Sequence, residues 1–113
     1  IEKKYQPHKN YDGNEYLENG GFWQRQGHIY NSPFYYIDYT LAQICAFQFW
    51  KRSRENHEEA WKDYVHLCRL GGSKSFTQLV KEANLISPFE DGCVQSVVGE
   101  IEQWLNSVDD KSL

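Results

Sequence analysis

One histidine and three tyrosines lie close together in the sequence and could together bind a carbonyl oxygen. His28 comes just before a predicted helix whose first turns carry Tyr35, Tyr36 and Tyr39. Residues three or four apart share one face of a helix, so the hydroxyl groups of these tyrosines can converge. Phenol O–H and imidazole N–H groups held on a rigid helix are suitable donors to a carbonyl oxygen that becomes an oxyanion. The same spacing also fits an aromatic core helix whose hydroxyl groups bond to the backbone, and spacing alone favours that second interpretation.

Two other motifs look like a metal site and a phosphate site but lack required residues. The stretch His57–Trp61 begins like the H-E-x-x-H zinc motif, yet Trp61 stands where the second histidine is needed, and His66 lies on another face. The stretch Gly71–Ser75 has the letters of a phosphate loop but lacks its first glycine and a preceding strand. We therefore interpret the first as a solvated helix start and the second as a helix end followed by an N-cap.

The element expected to position the tyrosines is a long helix. Ser32 as N-cap and Pro33 as first helical residue predict a helix over residues 33–53. Its polar residues scatter around the whole circumference, a pattern typical of a buried helix with no solvent-facing side. The rest of the chain is hardly large enough to surround such a helix, so the pattern predicts a larger protein body.

Three further helices follow, and each is predicted to be amphipathic. The first ends at Gly71-Gly72, and the second opens with a capping box formed by Ser75 and Gln78. The third carries an apolar stripe from Val94 to Val108. Since no convincing run alternates with period two, the predicted fold class is all-α with four main helices. We expect residues 1–19 to form a polar lead-in of loop or one short helix, and residues 20–113 to form one helical segment.

Composition and charge exclude several classes of protein. The 113 residues carry 12 Lys+Arg against 16 Asp+Glu, a net charge of −4, without the basic stripe that nucleic-acid binding requires. No apolar run approaches the roughly 20 residues of a membrane span, so no membrane partner is predicted. Cys45, Cys68 and Cys93 are widely spaced among apolar residues, which indicates reduced core thiols in a cytoplasmic protein. The absence of methionine indicates either processing at the N-terminus or a segment of a longer protein, and the start at Ile1 within a pattern favours the segment.

Aromatic residues make up 16% of the chain, and several of them belong to a pattern found in one family of peptidases. Phe22–Tyr30 and Pro33–Tyr39 resemble the C-terminal part of the oligoendopeptidase F family, which is related to thimet oligopeptidase. The likeness continues through Leu41-Ala42, Ala46–Trp50, Gly71–Ser73, Ser75-Phe76 and Ser87–Gly92. The resemblance implies the C-terminal helical segment of a larger all-α zincin-type peptidase. Such an enzyme cleaves short oligopeptide substrates with a zinc-activated water.

The resemblance also implies roles for individual residues. The zinc ligands and general base of that family lie upstream, so zinc would be bound outside this chain, no metal ligand is expected here, and the segment alone would be inactive. His28 corresponds to a histidine of the substrate channel. Tyr36 and Tyr39 correspond to tyrosines that bind the substrate carbonyl and stabilise the oxyanion, and Tyr35 replaces one of them if the alignment is shifted by one. The catalytic candidates are Tyr39 and His28, and the substrate-binding candidates are Tyr36, Tyr35 and His28.

A different class of function remains open on the sequence alone. The chain could be a free-standing all-α protein-interaction module with no chemistry, whose aromatic N-terminal half binds a partner. The discriminating feature is the helix predicted over residues 33–53, because a free module should carry a polar stripe there. If the chain is a segment of an enzyme, we expect it to self-associate through its exposed apolar surface.

Overall fold

The computed structural model describes residues 1–109 and shows an all-α chain. No strand occurs among those residues, so the predicted fold class is confirmed. The chain divides into two compact units, Ile1–Asp38 and Tyr39–Leu113, which are described separately. The lead-in predicted for residues 1–19 and the segment predicted for residues 20–113 stay predictions.

The first unit consists of short helical pieces. These are α1 (Glu2–Tyr5), α2 (Glu15–Glu18), a 3₁₀ helix (Gly21–Arg25) and α3 (His28–Asn31). The Glu2 carboxylate accepts hydrogen bonds from Lys9 Nζ at 2.7 Å and from the Tyr11 hydroxyl at 2.8 Å. The Lys9 ammonium also lies 3.5 Å from the centre of the Phe22 ring. One charged cluster therefore connects α1 to the 3₁₀ helix, and both hydrogen bonds lower the pKa of Glu2.

Four longer helices follow within residues 1–109, as the sequence predicted. They are α4 (Ile37–Glu55), α5 (His57–Leu70), α6 (Phe76–Glu82) and α7 (Cys93–Ser107). The predicted start of the first of these was wrong, because α4 begins at Ile37 and not at Pro33. Phe34 has a φ of 68°, in the left-handed region, and a helix cannot continue through that conformation.

Hydrogen bonds cap the helix ends largely at the positions that the sequence indicates. The Asn56 Oδ1 atom accepts from the Glu59 N–H at the start of α5, at 3.2 Å. The predicted pairing at the start of α6 is present, since the Gln78 Oε1 atom accepts from the Ser75 N–H at 3.1 Å. Gly71 ends α5 with its N–H bonded to the Leu67 carbonyl at 3.2 Å. These caps satisfy backbone groups that a helix end leaves without a partner.

The apolar core of the second unit is small. Among the described residues, six apolar side chains of this unit are buried: Ala60, Val80, Ala83, Leu85, Cys93 and Val97. Val80, Ala83 and Leu85 form one cluster, and the half-buried Cys45, Phe49 and Leu67 pack against it. The helix α4 contributes one buried residue, Gln48, and exposes more than half of Ile37 and Tyr39. The burial predicted for this helix is therefore not provided by the described part of the chain.

Two side chains of α4 bind the irregular segment between α6 and α7. Gln48 is only 5% exposed, donates to the Ile86 carbonyl at 2.9 Å, and accepts from the Ile86 N–H at 2.8 Å. One turn later Arg52 donates to the Ala83 carbonyl at 3.0 Å and to Asp63 Oδ2 at 2.5 Å. The bond from Arg52 holds the pKa of the Asp63 carboxyl below its ordinary value.

The cysteines only partly match the prediction of core thiols. Cys93 is buried and Cys45 is half-buried, and loss of solvation raises the pKa of both thiols, so they stay protonated. Cys68 is exposed, so the prediction was wrong for this residue. The stripe of α5 that includes Cys68 is incompletely covered, since Trp61 and Tyr64 are exposed as well.

No helix within residues 1–109 is long and apolar enough to cross a membrane.

We expect Gln48→Ala to lower the free energy of unfolding of the 113-residue chain by roughly 2–3 kcal/mol, because both Ile86 backbone groups lose their partner. Urea denaturation followed by circular dichroism measures this difference. Gln43→Ala is the matched control, since Gln43 is an exposed glutamine of the same helix; its effect should stay within about 0.5 kcal/mol. Equal effects of the two substitutions would contradict the anchoring role of Gln48.

Candidate functional site

His28 is the first residue of α3, in a segment fixed by backbone hydrogen bonds. Its carbonyl oxygen accepts from the Ser32 N–H at 3.1 Å, and the Gly27 carbonyl accepts from the Asn31 N–H at 2.9 Å. The side chain of His28 is half-buried. A single-turn helix would not be stable alone, so its neighbours must hold it in place.

A turn follows α3 and brings two tyrosines back to the histidine. The Tyr35 N–H donates to the Ser32 carbonyl at 3.2 Å, and the Asp38 N–H donates to the Tyr35 carbonyl at 3.0 Å. Phe34 lies between Ser32 and Tyr35 in this turn. Its backbone is in the left-handed region, and its side chain is 97% exposed. Pro33 therefore belongs to a turn and not to the first turn of a helix.

The rings of the first unit form a compact cluster around His28. The imidazole lies 5.0 Å from the centre of the Tyr36 ring, at an angle of 39° between the planes. It lies 6.3 Å from the Tyr35 ring, nearly parallel to it at 29°. These distances are those of favourable aromatic contacts. The structure thus brings His28, Tyr35 and Tyr36 together.

The reason for this proximity is different from the one inferred from helical spacing. Tyr35 and Tyr36 precede α4, which begins at Ile37, so the turn after α3 and not helical spacing brings them to His28. Tyr39 lies in the first turn of α4, is half exposed, and belongs to the second compact unit. The roles of His28, Tyr35, Tyr36 and Tyr39 in substrate binding and catalysis stay predictions.

Sequence reasoning missed Gln26, which contacts the histidine directly. The Gln26 Nε2 atom lies 2.6 Å from His28 Nδ1. Gln26 ends the 3₁₀ helix and is itself half-buried. An amide two residues before a histidine gives no signal in a pattern of helical spacing, because the contact forms where the backbone leaves one helix and enters another.

The two motifs that the sequence analysis rejected have structural roles. His57 Nδ1 lies 2.8 Å from the Ser53 hydroxyl, and its ring stacks on Trp61. His66 Nε2 lies 3.4 Å from Glu82 Oε2, and Lys74 of the glycine-rich stretch forms an ion pair with the same carboxylate. Within residues 1–109, no three His, Cys, Asp or Glu side chains are grouped so that they could hold a metal ion.

Comparison with known proteins identifies close structural relatives. Neither the protein-family models nor the curated proteins give a match. Among solved structures, PZ peptidase A with an inhibitor is 80% identical over 96% of this chain, with a TM-score of 0.85. An oligoendopeptidase F is 70% identical over 99% of it, with a TM-score of 0.86. An oligoendopeptidase F from Bacillus anthracis str. Ames is 55% identical over 96% of it, with a TM-score of 0.69.

The matched region is a small share of each relative. It covers 19% of the PZ peptidase A chain and 20% of each of the other two chains. The identities are far above the level at which only a fold is shared, and they extend over nearly the whole segment. The family resemblance seen in the sequence is confirmed, and the chain belongs to the oligoendopeptidase F and PZ peptidase family, spanning about one fifth of the length of these solved members.

Proposed function

We propose that the protein to which this segment belongs is a cytoplasmic zinc-dependent metalloendopeptidase that hydrolyses short peptides. The observation that carries the proposal is the 55–80% identity, over at least 96% of this chain, to solved structures named as peptidases. In this proposal the segment supplies donors that bind the substrate carbonyl. The zinc ligands and the general base are supplied by residues outside it.

The chemistry assigned to the segment is stabilisation of negative charge. When a water molecule attacks a peptide carbonyl, the oxygen of that carbonyl becomes an oxyanion. An imidazole N–H from His28 and hydroxyl groups from Tyr36 and Tyr39 are the proposed donors to it. One preorganised donor of this kind contributes about 10²–10³ in rate. The ring contacts of His28 with Tyr35 and Tyr36 support the proposal, because they hold the imidazole in place before substrate binds.

The described residues do not fit a zinc site by themselves. They contain no cluster of three or more His, Cys, Asp or Glu side chains that could hold a metal ion. When bound to residues outside the segment, zinc would lower the pKa of a water molecule and make it a nucleophile at neutral pH. The 113-residue chain alone is therefore proposed to be inactive.

We expect the whole protein to cleave a short fluorogenic peptide, to lose that activity in a chelator, and to regain it with added Zn²⁺. The 113-residue chain should show no cleavage under any of these conditions, since it lacks a cluster of metal ligands within residues 1–109. Peptide cleavage that resists thorough chelation, in a protein shown to be free of metal, would contradict the zinc mechanism.

We expect Tyr39→Phe and His28→Phe, made separately in the whole protein, to lower kcat by about 10²–10³ while changing KM much less. The reason is that each substitution removes a donor that binds most strongly in the transition state, and phenylalanine keeps the aromatic shape. Steady-state kinetics with one peptide measures both parameters.

Tyr5→Phe is the control for these substitutions, because Tyr5 is an exposed tyrosine of α1. Tyr35→Phe and Tyr36→Phe, measured in the same way, identify which of the two adjacent tyrosines binds the carbonyl oxygen. An unchanged kcat for Tyr39→Phe would remove that residue from the oxyanion site.

The exposed surface of the second unit bears on the alternative function, a free-standing interaction module. Large aromatic and aliphatic side chains of the second unit are exposed, among them Trp61 at 57% and Leu105 at 59%. Such surface normally marks a contact with another protein region. We propose that the remainder of a longer chain covers it, and that the segment expressed alone self-associates through it.

We expect the isolated 113-residue chain to oligomerise in sedimentation velocity experiments and to bind a hydrophobic dye. Leu105→Gln should weaken the association because it adds a polar group to the exposed apolar surface. Asn106→Gln, at an exposed polar position in the same helix, should leave the association unchanged. A monomeric chain that binds no dye would instead favour the interaction module.

A further inference from the structure

We infer that Gln26 is a positioning residue that fixes the imidazole of His28 in the tautomer with its proton on Nε2. The part of this inference that concerns catalysis rests on the proposed function of His28 as a donor to the substrate carbonyl. The part that concerns the tautomer rests only on the contact between the two side chains.

The contact itself specifies the tautomer. The amide nitrogen of Gln26 lies 2.6 Å from His28 Nδ1. With the amide turned so that its NH₂ group faces the ring, Nδ1 is the acceptor, because an NH₂ group donates and does not accept. In a neutral imidazole the nitrogen that accepts carries no hydrogen, and the proton is then on Nε2.

The backbone of Gln26 is held on both sides. The Gln26 N–H donates to the Trp23 carbonyl at 3.0 Å, and the Gln26 carbonyl accepts from the Ile29 N–H at 3.1 Å. Gln26 is thus hydrogen-bonded to the 3₁₀ helix on one side and to α3 on the other. Both Gln26 and His28 are half-buried, which limits competition by water for the hydrogen bond between them.

The ring of His28 is restrained as well. Tyr36 and Tyr35 contact the imidazole at 5.0 and 6.3 Å between ring centres. A 180° rotation of the ring about the Cβ–Cγ bond would place the carbon Cδ2 where Nδ1 lies and would break the bond to Gln26, and the two ring contacts hinder intermediate orientations. The side chain of His28 therefore has one favoured orientation and one favoured tautomer.

The tautomer matters because a protonated and an unprotonated Nε2 have opposite effects on a carbonyl oxygen. An Nε2–H group donates a hydrogen bond that strengthens as the oxygen gains negative charge. An unprotonated Nε2 would present a lone pair to the same oxygen and repel it. Fixing the proton on Nε2 before substrate binds removes the cost of reorganising the imidazole during the reaction.

Gln26→Glu gives the sharpest test, because a carboxylate can only accept. In the neutral imidazole, the introduced carboxylate would require the proton on Nδ1 and so reverse the tautomer. The readout is the nitrogen NMR spectrum of the whole protein labelled with ¹⁵N-histidine, in which the two tautomers have distinct shifts. The signal of His28 is identified by its loss in His28→Phe.

We expect the unsubstituted protein to show a protonated Nε2, Gln26→Glu to show a protonated Nδ1, and Gln26→Met to show a mixture. Gln24→Glu is the matched control, since it adds the same charge two residues away. The Gln24 Oε1 atom accepts from the Tyr16 hydroxyl, and a carboxylate keeps that bond. A protonated Nδ1 in the unsubstituted protein, or an unchanged His28 signal in Gln26→Glu, would overturn the inference.

Kinetics then separate this inference from the proposed function. We expect kcat of Gln26→Glu to fall toward that of His28→Phe, with KM changed less and Gln24→Glu unaffected. A reversed tautomer without a change in kcat, in a protein that His28→Phe slows, would overturn the catalytic part of the inference. If His28→Phe does not slow the reaction, the proposed function of His28 fails, while the NMR spectrum still decides the tautomer.

Discussion

The buried amide of Gln48 is the contact that holds the second unit together, because the apolar core around it is small. It binds both backbone groups of Ile86, which is 38 residues away in the sequence. Arg52, one turn further along α4, binds the carbonyl of Ala83 in the same irregular segment. A buried polar group stabilises a structure only if its hydrogen bonds are all made. Here the amide oxygen accepts from the Ile86 N–H, and the NH₂ group donates both to the Ile86 carbonyl and to Cys93 Sγ at 3.4 Å. The position of α4 relative to that segment is therefore fixed by polar contacts as well as by apolar packing.

The exposed aromatic residues show what kind of surface this segment presents. Trp104 contacts Trp50 edge-on at 6.1 Å, and Phe49 contacts Tyr64 in the same way at 5.5 Å, yet Trp104 and Tyr64 remain exposed. In a complete hydrophobic core, other side chains normally pack against the remaining faces of such ring pairs. Relatives about five times as long contain this region as one part of a larger chain. An aromatic surface of this kind is what a helical layer presents to its neighbours within a larger body.

The sequence predicted best those features that depend on neighbouring residues. The capping pair Ser75 and Gln78 and the stop at Gly71 are local signals, and both were recognised. The partner of Gln48 could not be recognised, since Ile86 is brought to it only by the fold. In the sequence Gln48 is one polar residue of a scattered pattern, although it is the side chain that α4 buries. The contact of Gln26 with His28 was missed for a different reason, because no periodicity describes the junction between two short helices.

The start of α4 shows why a correct local signal can still give a wrong boundary. Ser32 followed by Pro33 is typical of a helix start, but Phe34 adopts a left-handed φ of 68°. For a residue with a large side chain this conformation costs on the order of 1 kcal/mol or more, so a sequence pattern would not predict it. Its consequence is structural, because the turn it creates returns the chain to His28 and places Tyr36 5.0 Å from the imidazole. In a continuous helix from Pro33 these tyrosines would be displaced along its axis, at about 1.5 Å per residue, away from the end of α3. The same backbone feature that made the predicted boundary wrong is therefore the one that assembles the aromatic cluster.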